Sequence, residues 1–148
     1  MNQLALALKI LLANQTFMYF KAHTFHWNVE GIHFSQYHDF FGDLYTDIYG
    51  SIDPTAEQIR ALNEYAPISM SELYNYKTVE ECEERVELIQ EMLSLLIIDN
   101  DKVIENLNKV FELATKENKQ GLADFAAARI DTHNKHGWML RASHKNIG

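Results

Sequence analysis

The sequence predicts an all-α fold, a bundle of four long helices with one short helix in the connection between the second and third. Three observations carry that expectation. The 148 residues include only two prolines and six glycines, too few interruptions for a turn-rich β protein. Apolar residues recur at helical rather than strand spacing over long segments. Two serine/threonine capping signatures frame the crossover in the middle of the chain. At this length, residues 1–148 are expected to form one domain whose core needs no disulfide.

The first helix is expected from Asn2 to about Glu30. Leu4-Leu6-Leu8-Ile10 alternates as a strand would, but the length of the segment and its lack of turn signals favour a helix. Its polar residues thin to Lys9, Thr16 and His23, one in every seven, with Asn14, Gln15, Lys21 and Thr24 beside them. A helix with so narrow a polar strip needs several apolar neighbours. Gly31 ends it. The second helix is expected from about Phe34 to Glu64, with Phe34, Phe41, Ile48, Ile52, Ile59 and Leu62 on its apolar side. Pro54 lies inside it and crowds the carbonyl of Gly50, the least obstructive residue for that position. One kinked helix is therefore expected rather than two, with the kink aiming Asp53 and Glu57.

In the connector "APISMSELYNYKT", Ser69-Met70-Ser71-Glu72 has capping-box spacing and opens a two-turn helix. Thr78-Val79-Glu80-Glu81 repeats the signature and is expected to open the third long helix. That helix would carry Cys82, Val86, Ile89, Leu93, Leu96, Val103, Leu107, Val110 and Ala114 to about Glu117. Gly121 lies near the next boundary. The fourth helix then carries Leu122, Phe125, Ile130 and Trp138 to about Ser143.

Composition also excludes functions. The formal net charge is −8, with no basic block at either end, which suits cations rather than a surface that neutralises many phosphates. The lone Cys82 cannot form an intramolecular bridge, so nothing here requires an oxidising compartment. "MNQLALALKILLANQ" lacks a basic leader and a cleavage site and is interrupted by Lys9, so it reads as part of the mature fold. No apolar run reaches the roughly 18 residues of a membrane span. A cytoplasmic location is expected.

Four of the seven histidines, His23, His26, His33 and His38, fall within sixteen residues around Gly31. A lone helical histidine is ordinarily a surface or satisfied core residue, but antiparallel packing across this turn would bring His26 and His38 together as two ligands of one metal. Neutral imidazole suits iron and zinc. Asp53 and Glu57, i,i+4 on the second helix, share a face and can grip a cation. His38 and Asp53 are fifteen residues apart, about 22 Å of helix at ~1.5 Å per residue. One chain cannot bring both pairs to one ion, whereas two chains with antiparallel second helices can. Elsewhere, Asp124 and Asp131 are i,i+7 on the fourth helix. His133 and His136 are expected to be ordinary surface histidines, and Gly31 spoils the helical geometry of Glu30-x-x-His33.

"FHWNVEG..F...H" (Phe25 to His38), "DLY.....SIDPTAEQIRAL" (Asp43 to Leu62) and "KHGWMLRA" (Lys135 to Ala142) resemble the miniferritins known as Dps, the DNA-binding proteins from starved cells. The resemblance covers nearly the whole chain. It implies a ferritin-like bundle assembled as a hollow dodecamer, in which Fe(II) is oxidised by hydrogen peroxide or oxygen at sites shared between two-fold mates and stored as ferric mineral. It makes His26 and His38 the histidine ligands, and Asp53 and Glu57 the carboxylate ligands given by the partner subunit. Trp27 matches a tryptophan beside the site. The usual aspartate four residues after the second histidine is here Gly42. Asp43 is turned away from that direction by about 100° and matches a different acidic position, so the second metal position is expected to be weak or filled by His23, Asp39 or water. Asp124 matches an acidic residue lining the three-fold pores, with Asp131 a less secure addition.

Histidines must be neutral to bind, so iron uptake is expected to fail below about pH 6. Zinc or manganese could occupy the same donors. Family members often hold DNA through a lysine-rich tail. Here the first helix is expected almost from Met1 and only "RASHKNIG" follows Leu140, so DNA binding is expected to be weak or absent, with Arg141 and Lys145 leaving room for loose association. The alternatives are a structural DNA-coating protein, or a metal-sequestering cage whose oxidation chemistry went with Gly42.

Overall fold

The computed structural model describes residues 2–145. Five helices follow in order: α1 (Gln3–Asn28), α2 (Phe34–Ala61), the short α3 (Met70–Tyr76), α4 (Ile89–Lys116) and α5 (Gln120–His144). The four long helices form the expected bundle, with α3 in the crossover. Side-chain pairs fix its register. Tyr19 meets Tyr45 and Tyr49 while His26 meets His38, Asn14 meets Asn106 while Lys21 meets Asp99, and Asn100 meets His133 while Ser94 meets His144, so α1/α2, α1/α4 and α4/α5 are all antiparallel.

Helix α1 is the central element. Fifteen of its residues are buried, against six on α2, and Leu4, Leu8, Leu11 and Met18 meet Phe41, Ile48, Leu93, Leu96 and Leu107 in the core. Each fully buried side chain of this size contributes about 1.5–3 kcal/mol by leaving water. Asn2 starts the helix, its Oδ1 accepting from the N–H groups of Leu4 (2.7 Å) and Ala5 (3.4 Å). The polar strip read from the sequence is largely internal: Lys9, Asn14, Gln15 and Lys21 are all buried. Lys21 Nζ lies 2.8 Å from Asp99 of α4.

Helix α2 runs unbroken through Pro54. Gly50, whose carbonyl loses its partner there, is exposed, and nearby hydroxyls take other carbonyls, Ser51 that of Ile48 and Thr55 that of Ser51. Ser69 caps α3 as expected, its Oγ accepting from the Glu72 N–H at 3.1 Å. Gly31, at φ +114°, makes the turn between α1 and α2.

One boundary differs from expectation. Helix α4 opens at Ile89, and residues 77–88 are non-helical. The cause is Asn14: its Oδ1 accepts from the Thr78 and Val79 N–H groups, and its Nδ2 donates to Thr78 Oγ1. Thr78 is thereby tied to α1 rather than to a helix of its own, and the non-helical path separates Glu80, Glu81, Glu83 and Glu84, which a helix would set at repelling i,i+3 and i,i+4 spacings. Cys82 is accordingly exposed and off the helix. The next boundary falls near Gly121 as expected, with Asn118 (φ +58°) making the left-handed turn and Gly121 in the first turn of α5. Among the described residues, no helix is long and apolar enough to cross a membrane.

Candidate metal centre

His26, in the last turn of α1, and His38, in the second turn of α2, face each other across the Gly31 turn. Their rings stack at 3.8 Å with 18° between planes. Nδ1 of His26 lies 2.6 Å from the carbonyl oxygen of His38, and Nδ1 of His38 lies 2.7 Å from the carbonyl oxygen of His26. A carbonyl can only accept, so both Nδ1 atoms carry the proton. Each neutral ring therefore keeps its lone pair on Nε2, the arrangement metal-binding histidines adopt when a backbone oxygen orients them.

The His38 carbonyl is also the helical acceptor for the Gly42 N–H, four residues on. That places the His26 ring directly over Gly42. A methyl group built at residue 42 would meet His26 Nδ1 at 3.1 Å and Cε1 at 3.2 Å.

His23 lies on the same side in an aromatic cluster. The Tyr19 hydroxyl shares a hydrogen bond with its Nδ1 at 3.0 Å, Tyr45 stacks on its ring at 3.9 Å, and Trp27, itself 55% exposed, lies 4.1 Å away. Burial, followed by the neighbouring His26, lowers the pKa of His23. The Tyr19-x-x-x-His23-x-x-x-Trp27 spacing was legible as one helical face; Tyr45 and Tyr49 on α2 were not.

Asp53 and Glu57 are exposed one turn apart, far along α2 from the histidines. Among the described residues, no three His, Cys, Asp or Glu side chains converge to hold an ion. One chain thus presents two imidazoles at one place and two carboxylates at another. Asp39 and Asp43 are exposed. Glu30 pairs with Arg85 at 3.2 Å and His33 precedes α2, so Glu30-x-x-His33 is not a helical pair. Asp124 and Asp131 are exposed on α5, Asp131 lying 3.9 Å from Lys135.

His133 and His136 are not the surface residues expected. His133 is fully buried: its Nδ1–H donates to Asn100 Oδ1 (2.8 Å), and Arg129 donates to its Nε2 (3.0 Å). His136 Nε2 donates to Asp47 (2.6 Å), which also receives both Arg129 Nη groups at 3.0 Å. His133 continues the buried stripe of Leu122, Ala126, Gly137 and Leu140, a signal present in the sequence. Its partners on α2 and α4 carried none.

This cluster predicts acid sensitivity. Burial, then the positive Arg129, pushes the pKa of His133 down to about 3. Burial would raise Asp47, but hydrogen bonds from His136 and Arg129 outweigh it and hold the carboxyl well below its usual range. Both groups take up protons more readily unfolded than folded, so both contributions are lost as pH falls. The melting temperature is expected to drop from about pH 6.5 downward through His133, and more steeply below about pH 4 once Asp47 joins. Thermal melts of wild type beside His133→Gln, in which the upper part of the slope flattens, check this.

A family model described as the ferritin-like domain matches residues 5–147. The chain is 32% identical over 141 residues to general stress protein 20U of Bacillus subtilis, covering 95% of this chain and 97% of that one. It is 30% identical over 138 residues to the DNA protection during starvation protein of Brevibacillus brevis, covering 93% and 92%. The crystal structure of the Dps protein from Vibrio cholerae, described as one of the ferritin-like diiron-carboxylate proteins, superposes with a TM-score of 0.91 at 28% identity, over 97% of this chain and 89% of that one. The chain therefore belongs to the Dps miniferritins of the ferritin-like superfamily.

Proposed function

We propose that this protein binds Fe(II), oxidises it with hydrogen peroxide or oxygen, and stores the ferric product inside a hollow shell of identical subunits, a dodecamer in the cytoplasm. Residues 1–148 act as one domain. The carrying observation is the reciprocal histidine latch, in which two Nδ1–H groups donate to two carbonyls and leave two Nε2 lone pairs. Those nitrogens need oxygen ligands to complete a site for iron; no carboxylates of the same chain converge on them among the described residues, and the i,i+4 pair Asp53 and Glu57 stands fifteen residues along α2, about 22 Å at ~1.5 Å per residue. Asp53 and Glu57 of the partner subunit complete the set.

In this reading Fe(II) is the substrate. His26 and His38 hold it as neutral donors, the carboxylates of the partner subunit balance the rising charge as Fe(II) becomes Fe(III), and open positions admit the oxidant. Trp27 stands beside the site on the α1 side, packed against His23. Asp124, with Asp131 beside it, draws cations toward the shell's openings. Zinc and manganese compete for the same donors, and the net charge of −8 keeps DNA association weak.

The test is oxidation of Fe(II) by purified assembled protein in air and with added peroxide, followed by gel filtration. Oxidation faster than in buffer, with ferric iron travelling in the protein peak, is the expected result. Iron that precipitates as it does without protein would leave sequestration or packaging as the function.

A further inference from the structure

Gly42 stands one helical turn after His38, where a side chain would point into the proposed metal site. The glycine has consequences beyond a missing donor. The His26 ring occupies the space a side chain would need, with the built methyl at 3.1 Å from Nδ1 and 3.2 Å from Cε1. The ring is held there: its Nδ1–H donates to the His38 carbonyl at 2.6 Å, the same carbonyl that accepts the Gly42 N–H, and its face stacks on His38 at 3.8 Å. It cannot withdraw from residue 42 without loosening the bond that directs Nε2 outward.

We propose that Gly42 is the positioning residue that makes room for the His26 ring, so that its Nε2 is directed outward, and that each half-site built in this way takes a single metal ion. The proposal rests on the shared-site reading above. Two imidazole nitrogens and two carboxylates from the partner subunit make one ion's complement of protein ligands. A second ion would need donors on the residue-42 side, where there is no side chain. His23 does not converge with His26 and His38 as a third donor; its Nδ1 is bonded to Tyr19 and its ring packs beside Tyr45 and Trp27. A carboxylate installed at residue 42 in this chain therefore has to push the His26 ring off the position set by its latch, so it weakens the first site rather than simply adding a second.

Zinc titration of the assembled protein by calorimetry tests this without any redox step, using wild type, Gly42→Ala, Gly42→Asp and His26→Ala. Wild type is expected to take one zinc per half-site. Gly42→Ala should bind it about tenfold more weakly, as expected when a ligand's orienting contact is disturbed. Its melting temperature should be unchanged or higher, because alanine favours helix over glycine. Gly42→Asp should take no more than one ion, also more weakly. With Co(II) in place of zinc, the visible absorption band should shift in Gly42→Ala as the imidazole turns.

Two zinc ions per half-site in wild type would overturn the proposal. So would a Gly42→Asp variant that takes two ions with the first bound as tightly as before, or Gly42→Ala binding indistinguishable from wild type. Zinc binding that ignores His26→Ala would sink the histidine site itself, an outcome separable from the others because the Gly42 variants would then bind like wild type for a different reason.

Discussion

His26→Ala/His38→Ala is expected to lower Fe(II) oxidation at least about 100-fold, or ~2.7 kcal/mol of lost transition-state stabilisation. Both Nε2 donors vanish and the carboxylates of the partner subunit alone cannot hold the ion. Stopped-flow oxidation assays of wild type and variant, matched for assembly by gel filtration, measure it. The single variants allow a sharper experiment. His26→Ala and Asp53→Asn assemblies should each be inactive, because every shared site lacks a ligand. In shells reassembled from an equal mixture, some two-fold pairs regain one complete site, combining the histidines of the Asp53→Asn chain with the carboxylates of the His26→Ala chain. Activity well above that of either parent is expected. If mixed dimers form and activity does not return, the two half-sites do not belong to one centre.

The second large effect concerns stability. Lys21 and Asp99 form an ion pair at 2.8 Å with side chains only 5% and 3% exposed. Burial lifts the Asp99 carboxyl above its ordinary range, and the attraction of Lys21 only partly offsets it. Lys21→Met leaves that carboxyl buried without its cation and should cost about 3–5 kcal/mol. A raised carboxyl pKa favours folding while the group is protonated and loses that advantage as pH rises through the folded value. The deficit of Lys21→Met relative to wild type should therefore be greatest at neutral pH and shrink toward about pH 4. Lys21→Met/Asp99→Leu, with neither charge present, should recover most of the loss, because replacing both partners by apolar groups of similar size is often neutral or better. Denaturant melts of the three proteins decide it. A double variant as unstable as Lys21→Met would show that packing, not charge, governs this position.

These two expectations differ in how far the sequence announced them. The histidines and carboxylates were legible because their spacing is local: two histidines bracket a turn glycine, and two acids lie one helical turn apart. The helices were legible for the same reason, through apolar period and caps. What escaped was set by distant partners. Thr78 has the pattern of a cap, but Asn14, sixty-four residues earlier, holds its backbone and side chain. Lys21 looked like part of a polar strip because Asp99 sits on another helix. His133 lies on a buried stripe that could have been read from its neighbours, yet its network with Asn100, Arg129 and Asp47 spans three helices. Gly42 reads as an absent ligand in the sequence, whereas the ring lying over it can be seen only in three dimensions.

The bond from His38 Nδ1 to the His26 carbonyl reaches beyond metal chemistry. That carbonyl is among the last four of α1, which have no partner within their own helix. The Val29 N–H closes the turn on Phe25, and the His38 imidazole closes it on His26. The proposed ligand is thus also the stopper of the central helix. Mutational drift at residue 38 meets two penalties at once, a frayed helix end and an emptied coordination sphere. Even a lineage with no need for iron would retain a structural reason to keep this histidine, so its persistence among descendants would not by itself reveal which duty selection maintains.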